Sequence, residues 1–343
     1  MRLIVLLAGD HPGLAREETS RLVSAVCRDY ELRYYCDRLC KIEVANRAPA
    51  VINALSYSVL AKEISLELAH VSMEDVMSGT PLELDNLDMI SDRTFAVRAV
   101  KLPCCKTKLA TPQIERLMGD LLLRALGQRA KVSLVKPDVV VRVYVLRDSM
   151  LIGLKLAELK RSRFRARSPV KRPYFHPSAL NPETALMMVN LSGVMQGVLL
   201  DPFCGTGSIL IEASLKGIYC IGIDIKPEMV MGSRLNIRSY GVEGFVDVMQ
   251  ADSCLLPIRN GSIDAIVTDP PYGRLSSTAG RDADLILAQL VGESSRVLRR
   301  GGSCTYMHPE GMFPPSKLRL RFRHTIPVHS DLTRILRVEV AEN

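Results

Sequence analysis

The chain has no tryptophan, and only 5% of its 343 residues are aromatic. That scarcity argues against a long base-stacking platform for single-stranded nucleic acid. No apolar run approaches the ~20 residues needed to cross a bilayer, so no membrane role is expected. The opening MRLIVLLAGDHPG suits a first strand better than a signal peptide, and a cytoplasmic location is the default. The 9 cysteines show neither a disulfide framework nor paired zinc-knuckle spacing. Cys27, Cys36 and Cys40 come nearest to a cluster and read as small, reduced core residues, so no metal site is expected. The Cys104-Cys105 pair has no evident role. There is no internal repeat and no low-complexity tract.

Positive charge is what the chain has in excess. The net charge is +8, and arginine dominates the basic residues, with 32 Arg against 13 Lys. KRSRFRARSPVKR (160–172) carries seven positive charges and no acid. Such a run repels itself unless a polyanion lies near, which favours nucleic acid as partner. Arg161, Arg163, Arg165 and Arg167 are the candidate phosphate contacts. In KLRLRFRH (317–324), Lys317, Arg319, Arg321 and Arg323 would share one strand face. A solvated face and an RNA-binding face fit that second run equally well.

Residues 1 to about 60 read as β-α-β-β-α-β, the order of a ferredoxin-like unit. The elements are strand Arg2–Ala8, helix Pro12–Cys27, strands Glu31–Cys36 and Leu39–Ala45, helix Ala48–Ser58, and an apolar stretch at Ile64–Leu68. Leu14, Leu22 and Val26, with Ala15 and Ala25, mark the buried face of the first helix. A second mixed unit follows. FAVRAVKL (95–102) alternates as a strand, and helix 111–126 opens with Thr111 as cap and Pro112 at the first helical position. DVVVRVYVLRD and MLIGLKLAEL form paired strands around a tight turn at Asp148-Ser149. Lys160 to Pro177 reads as an irregular linker. Beyond it, strands and helices alternate as in a doubly wound parallel sheet, and the tail LRLRFRHTIPVHSDLTRILRVEV predicts an antiparallel edge hairpin.

GVLLDPFCGTGSILIEASLKG is a strand, a glycine turn and a helix, with Ser208 as the expected helix cap. Gly205 and Gly207 allow close backbone approach to a ligand. The next strand, YCIGIDI, ends in Asp224, where this architecture holds two ribose hydroxyls. A dinucleotide is disfavoured, because the third glycine is missing and Asp201 beside the turn would repel a pyrophosphate. An acid there attracts an ammonium instead. S-adenosylmethionine offers a ribose, an adenine and an ammonium, and Asp252 after VDVMQAD is placed to accept from the adenine amino group.

TDPPYG (268–273) ends the next apolar strand, because two prolines cannot donate ladder hydrogen bonds. The turn presents the Asp269 carboxylate, the Pro270 carbonyl and the Tyr272 ring. An amine on an aromatic ring is a poor nucleophile, and acceptors aimed at its two N–H bonds disperse the charge that develops on methylation. A ring that stacks on the base orients the amine. The set suits methyl transfer to an exocyclic amine.

DPFCGTGSILIEA, GIDI, TDPPYGR and HSDLTRI together resemble the archaeal tRNA guanine-10 N2-methyltransferases, and the resemblance runs the whole length. It implies an N-terminal ferredoxin-like domain (1–55), a THUMP RNA-binding domain (56–157), a basic linker (158–174) and a Rossmann-like class I methyltransferase domain (175–343). It implies S-adenosylmethionine as donor, tRNA as substrate, and N2-methyl- or N2,N2-dimethylguanosine at position 10. In such enzymes the THUMP module grips the CCA end of tRNA. Asp201, Gly205, Gly207, Asp224 and Asp252 carry over for the cofactor; Asp269, Pro270 and Tyr272 carry over for the base. The sequence departs from the family pattern before the first methyltransferase strand, with Asn181 and Glu183 where basic or apolar residues are expected. A monomer is allowed, and a small activator subunit is allowed but not implied by the sequence. The competing readings are a THUMP-type guanine-N2 methyltransferase for tRNA position 6 or rRNA, a DNA adenine-N6 methyltransferase, and a non-catalytic RNA-binding subunit.

Overall fold

The computed structural model describes residues 1–272, 282–312, 316–329 and 332–342. Its contacts divide into two units: Met1–Arg16, Cys27–Ser56 and Leu60–Leu159 form one, and Glu17–Val26, Tyr57–Val59 and Lys160–Asn343 form the other.

The chain opens with β1 (Arg2–Leu7), α1 (Pro12–Ser24), β2 (Tyr30–Cys36), β3 (Leu39–Val44), α2 (Ala48–Ser56) and β4 (Ala61–Ser72). This is the expected ferredoxin-like order. Helix α1 stops at Ser24, earlier than periodicity suggests, and Val23 completes its buried face in place of Ala25 and Val26. Next come α3 (Met73–Ser78), β5 (Thr94–Lys101), α4 (Thr111–Leu126), β6 (Lys131–Val132), β7 (Val139–Val145) and β8 (Ser149–Glu158). Strand β4 runs for 12 residues because it has an antiparallel partner on each side, β1 and β8. All eight strands therefore lie in one sheet, ordered β2-β3-β1-β4-β8-β7-β5-β6. Ile114, Met118, Leu122 and Leu126 of α4 enter the same core as Phe95, Val141 and Val143. The cap of α4 differs from the sequence expectation. Ala110, not Thr111, precedes the helix, and the Gln113 side chain accepts from its N–H at 2.7 Å, which is half of a capping box.

The second unit contains α5 (Pro182–Ser192), β9 (Val198–Asp201), α6 (Ser208–Ser214), β10 (Tyr219–Asp224), α7 (Pro227–Ser239), β11 (Val246–Gln250), β12 (Ile263–Thr268), α8 (Ala283–Val297), β13 (Leu298–Pro309), β14 (Arg319–His329) and β15 (Leu332–Val340). The sheet order is β11-β10-β9-β12-β13-β15-β14. Strands β9 to β13 are parallel, and β15 returns antiparallel between β13 and β14. The near-continuous apolar runs of β9 and β12 suit strands covered on both faces. Asn181, unexpected from the family pattern, is the N-cap of α5 and accepts from Thr184 N–H at 2.7 Å. Glu183 sits in the first helical turn, where the helix dipole favours an acid.

The basic stretch is not a bare linker. It forms tight turns at Arg161–Arg167 and Pro169–Lys171, with Phe164 and Arg172 buried. Arg163 donates to the Ser58 carbonyl and lies over the Phe164 ring. Segments Glu17–Val26 and Tyr57–Val59 are tied into this unit by a buried polar knot. Glu18 accepts from Ser58 Oγ (2.7 Å), Val59 N–H (2.9 Å) and Asn190 Nδ2 (2.7 Å), and Lys216 Nζ donates to Asn190 Oδ1 (2.8 Å). Burial lowers the Lys216 pKa to about 8. Arg21 donates to the Leu191 and Ser192 carbonyls, supplying positive charge where α5 ends. No helix of the described residues is long and apolar enough to cross a membrane.

Candidate active site

The candidate groups gather where the parallel strands end. Ligands of such sheets bind beyond the carboxyl ends of the strands, near the point where the strand order reverses. That point here lies between β9 and β12, whose central register pairs Ile266 with Leu200.

Asp201 closes β9 and is 1% exposed. Its Oδ1 accepts from Thr268 Oγ1 at 2.7 Å and from Phe203 N–H at 3.2 Å. Burial pushes its carboxyl up to about 7 despite these two donors, with Asp224 and Asp269 adding in the same direction. Gly205 and Gly207 follow with φ of +51° and +83°, values that glycine adopts without strain. Gly207, not Ser208, is the residue before α6. Ser208 instead donates to the Leu180 carbonyl at 2.7 Å and accepts from the buried Arg172 at 2.6 Å. Asp224 ends β10 and accepts from Gly205 N–H and Lys226 N–H, both at 3.0 Å. Its carboxyl is pushed up by burial and held back by those N–H groups. Asp252 follows β11, and its Oδ1 accepts from Cys254 N–H at 3.0 Å.

Two observations test whether these residues fit S-adenosylmethionine. A Cβ added at Gly205 would meet nothing within 4 Å, whereas one at Gly207 would meet Ser233 Cβ at 3.3 Å, so the loop is open to a ligand at Gly205 and packs against α7 at Gly207. Thr206 Oγ1 is buried with no partner among the described residues, an orphan that a ligand's polar group would satisfy. Three acids, an open glycine turn and an orphan hydroxyl fit the nucleoside and ammonium of that molecule.

Asp269 follows β12 with its side chain 20% exposed. Burial pushes its carboxyl up, and Arg334 opposes the shift. Arg334 Nη2 forms an ion pair with Asp269 Oδ1, and its guanidinium carbon lies 5.0 Å from the Tyr272 ring centroid. Burial and Asp269 together push the Tyr272 hydroxyl up to about 12. Pro270 is buried. Gly273 and Arg274 of the turn motif, and Ser330 and Asp331 of the tail motif, lie outside the described residues.

A hydrogen bond joins Gly205 to Asp224, and Asp201 lies close enough to Asp224 and Asp269 for both acids to raise the Asp201 pKa. The structure does not gather the four candidate arginines. Arg167 is bound to Glu212 and Arg163 to Ser58, while Arg161 and Arg165 are exposed. The sequence reading missed Arg334 and Thr268. HSDLTRI contains that arginine, but only the return of β15 carries it to Asp269.

A seven-stranded sheet of this order, an open glycine loop between two acidic strand ends, and an Asp-Pro-Pro-Tyr turn define an S-adenosylmethionine-dependent methyltransferase. Residues 169–333 match the family of RMKL-like methyltransferase domains, and residues 74–155 match the THUMP domain. The tRNA (guanine(10)-N2)-dimethyltransferase of Methanothermobacter thermautotrophicus is 33% identical to this chain, covering 98% of this chain and 99% of that protein. Its counterpart of the same name in Methanocaldococcus jannaschii is 34% identical, covering 74% and 73%. The crystal structure of TrmN from Thermus thermophilus shares the fold, with a TM-score of 0.56 at 20% identity over 99% of this chain and 100% of that one. The chain belongs to the tRNA (guanine(10)-N2)-dimethyltransferase family.

Proposed function

We propose that this enzyme methylates the exocyclic N2 of guanosine at position 10 of tRNA, forming N2-methylguanosine and then N2,N2-dimethylguanosine. The observation that carries the reading is the turn after β12. The ion pair with Arg334 uses only Asp269 Oδ1, the same guanidinium lies over the Tyr272 ring, and Pro270 stands directly after the acid in the turn. S-adenosylmethionine supplies an electrophilic methyl group on a sulfonium. Asp224 and Asp252 hold its nucleoside, the backbone at Gly205 and Gly207 lies against it, and the Asp201 carboxylate favours its ammonium. Asp269 Oδ2 and the carbonyl of Pro270 accept from the two N–H bonds of the base. Tyr272 stacks on the base and holds the amine in line. Residues 56–157 serve as the THUMP module, and residues 1–55 as the ferredoxin-like domain beside it. Exposed Arg161 and Arg165 meet phosphate. The enzyme works in the cytoplasm, where its tRNA is.

Purified full-length protein, labelled donor and tRNA transcripts with G or A at position 10 test this reading. Nucleoside mass spectrometry is expected to find both methylated guanosines in the G10 transcript and neither in A10. Methylation that persists in A10 but disappears when position 6 is changed would move the target to that site.

A further inference from the structure

Among the described residues, Arg334 joins both groups of the proposed base pocket. It stands near the start of β15, where the antiparallel return pairs it with Pro309 at the carboxyl end of β13 and with Ile326 of β14. Strand β13 runs parallel to β12, with Tyr306 beside Thr268. The fold thus delivers a cation from a distant stretch of sequence to the residue that follows Thr268. The side chain is 12% exposed. A cation so enclosed is retained only where its partners offset its desolvation. One terminal nitrogen is on Asp269 Oδ1, the guanidinium carbon lies over the Tyr272 ring, and Nε is buried without a partner among the described residues.

We propose that Arg334 is a positioning residue for methyl transfer: it caps one oxygen of Asp269, leaves the other for the amine, and braces the Tyr272 ring. The inference rests on the reading of Asp269 as the acceptor for the base. A half-buried carboxylate would otherwise take up a proton, and a carboxylic acid would offer the amine a poorer acceptor. It would also rotate, and acceptors loosely held lose the orientation that makes them effective. The guanidinium prevents both, because one group holds the acid and lies over the ring. Lysine would keep the charge but not the fork or the stacking face. Among the described residues, the groups facing Asp269 are Arg334 from β15, Tyr272 from its own turn and Asp201 from β9. Asp201 and Asp269 are both retained in wild type, R334Q and R334K, so the limb is compared among those three, whereas D269A also removes the raising effect of Asp269 on Asp201.

The test is the pH profile of single-turnover methylation of tRNA at saturating donor for wild type, R334Q, R334K and D269A. R334Q is expected to lose roughly tenfold to a hundredfold at neutral pH. Its acid limb should move up by about one pH unit or more, so that part of the loss is recovered at alkaline pH. R334K is expected to keep the wild-type limb with a lower plateau. A merely structural role would lower R334Q equally at all pH values, and that outcome overturns the proposal. If R334Q does not bind the donor in calorimetry, R334K decides, and a rate within about twofold of wild type overturns the positioning role. D269A separates the two levels of inference. Collapse of D269A with an unmoved R334Q limb rejects Arg334 alone. Near wild-type turnover by D269A rejects the acceptor role of Asp269, and the proposal with it.

Discussion

Arg167 grips Glu212 with two nitrogens, Nε to Oε1 at 2.7 Å and Nη2 to Oε2 at 3.0 Å. Glu212 lies on α6, the helix that leaves the glycine loop, and its side chain is 1% exposed. A stretch that the sequence offers as a phosphate-binding tether is therefore partly a brace for the cofactor loop. Removing one partner of a buried ion pair leaves an uncompensated charge, so Arg167→Ala is expected to cost about 3 kcal/mol. Burial already raises the Glu212 pKa, and Arg167 holds the shift back. Without Arg167 the folded pKa climbs further above the unfolded value. A group raised in this way favours the fold at low pH and loses that contribution as pH rises through its folded pKa. The deficit of the variant should therefore shrink as pH falls. Urea unfolding of both proteins between pH 5 and pH 8 checks this, and a deficit independent of pH would contradict it.

The same brace bears on truncation. A fragment starting at Phe175 keeps the acids and glycines of the loop but lacks Arg167, Arg172, Phe164 and Glu18. It also lacks the Ser58 and Val59 partners of the polar knot. Asn190 and Lys216 would lose their buried partner or neighbour. The fragment is expected to be soluble only in part and to bind S-adenosylmethionine weakly. Calorimetry of the fragment against the full chain reads this directly. Full-chain affinity in the fragment would show that the knot is dispensable.

Phosphate contact should divide the four arginines into two pairs. Neutralising exposed Arg161 and Arg165 is expected to flatten the plot of log tRNA affinity against log salt by about 0.7–0.9 per lost contact. Neutralising Arg163 and Arg167, which hold Ser58 and Glu212, should lower thermal stability and leave that slope in place. Filter-binding titrations across a salt series distinguish the pairs. An unchanged slope in the first pair would make the exposed arginines a solvated face.

Asp269→Ala is expected to slow the chemical step by about 10²–10³-fold while donor and tRNA affinities hold. Asp269→Asn should be milder, since an amide oxygen still accepts one hydrogen bond. Tyr272→Ala should reduce turnover through loss of base stacking. Single-turnover rates and binding constants on the same three variants test these effects. Equal losses in affinity and rate would make the turn a general binding surface.

Asp201, with its pKa pushed up to about 7, contributes stability that is present in full at acidic pH and lost as pH rises through 7. A ligand ammonium beside it would favour the ionised form. Donor binding at pH 6 should then release protons and tighten toward pH 8. Asp201→Asn should abolish the proton release. Calorimetry in buffers of different ionisation heat measures it, and binding with no proton release would exclude an Asp201–ammonium contact.

The sequence by itself determined the strands, the glycine loop and the Asp-Pro-Pro-Tyr turn, because each depends on neighbouring residues. Apolar runs of β9 and β12 type form buried strands, glycine permits the positive φ of Gly205, and two prolines end β12 wherever it lies. It also placed Asp224 correctly, since the end of a strand is a local property. Caps were less legible. Ala110 stands where Thr111 was expected, and Ser208 serves Leu180 and Arg172 rather than its own helix. Both outcomes depend on partners that spacing does not reveal. Only the tertiary structure decided the partners of the charges. The pairing of Arg334 with Asp269 spans 65 positions, Arg167 with Glu212 spans 45, and Glu18 with Asn190 spans 172. A charge run looks the same in sequence whether it faces solvent, phosphate or a buried acid. The choice rests on desolvation and on which strand returns beside which, and both are set only when the sheet closes.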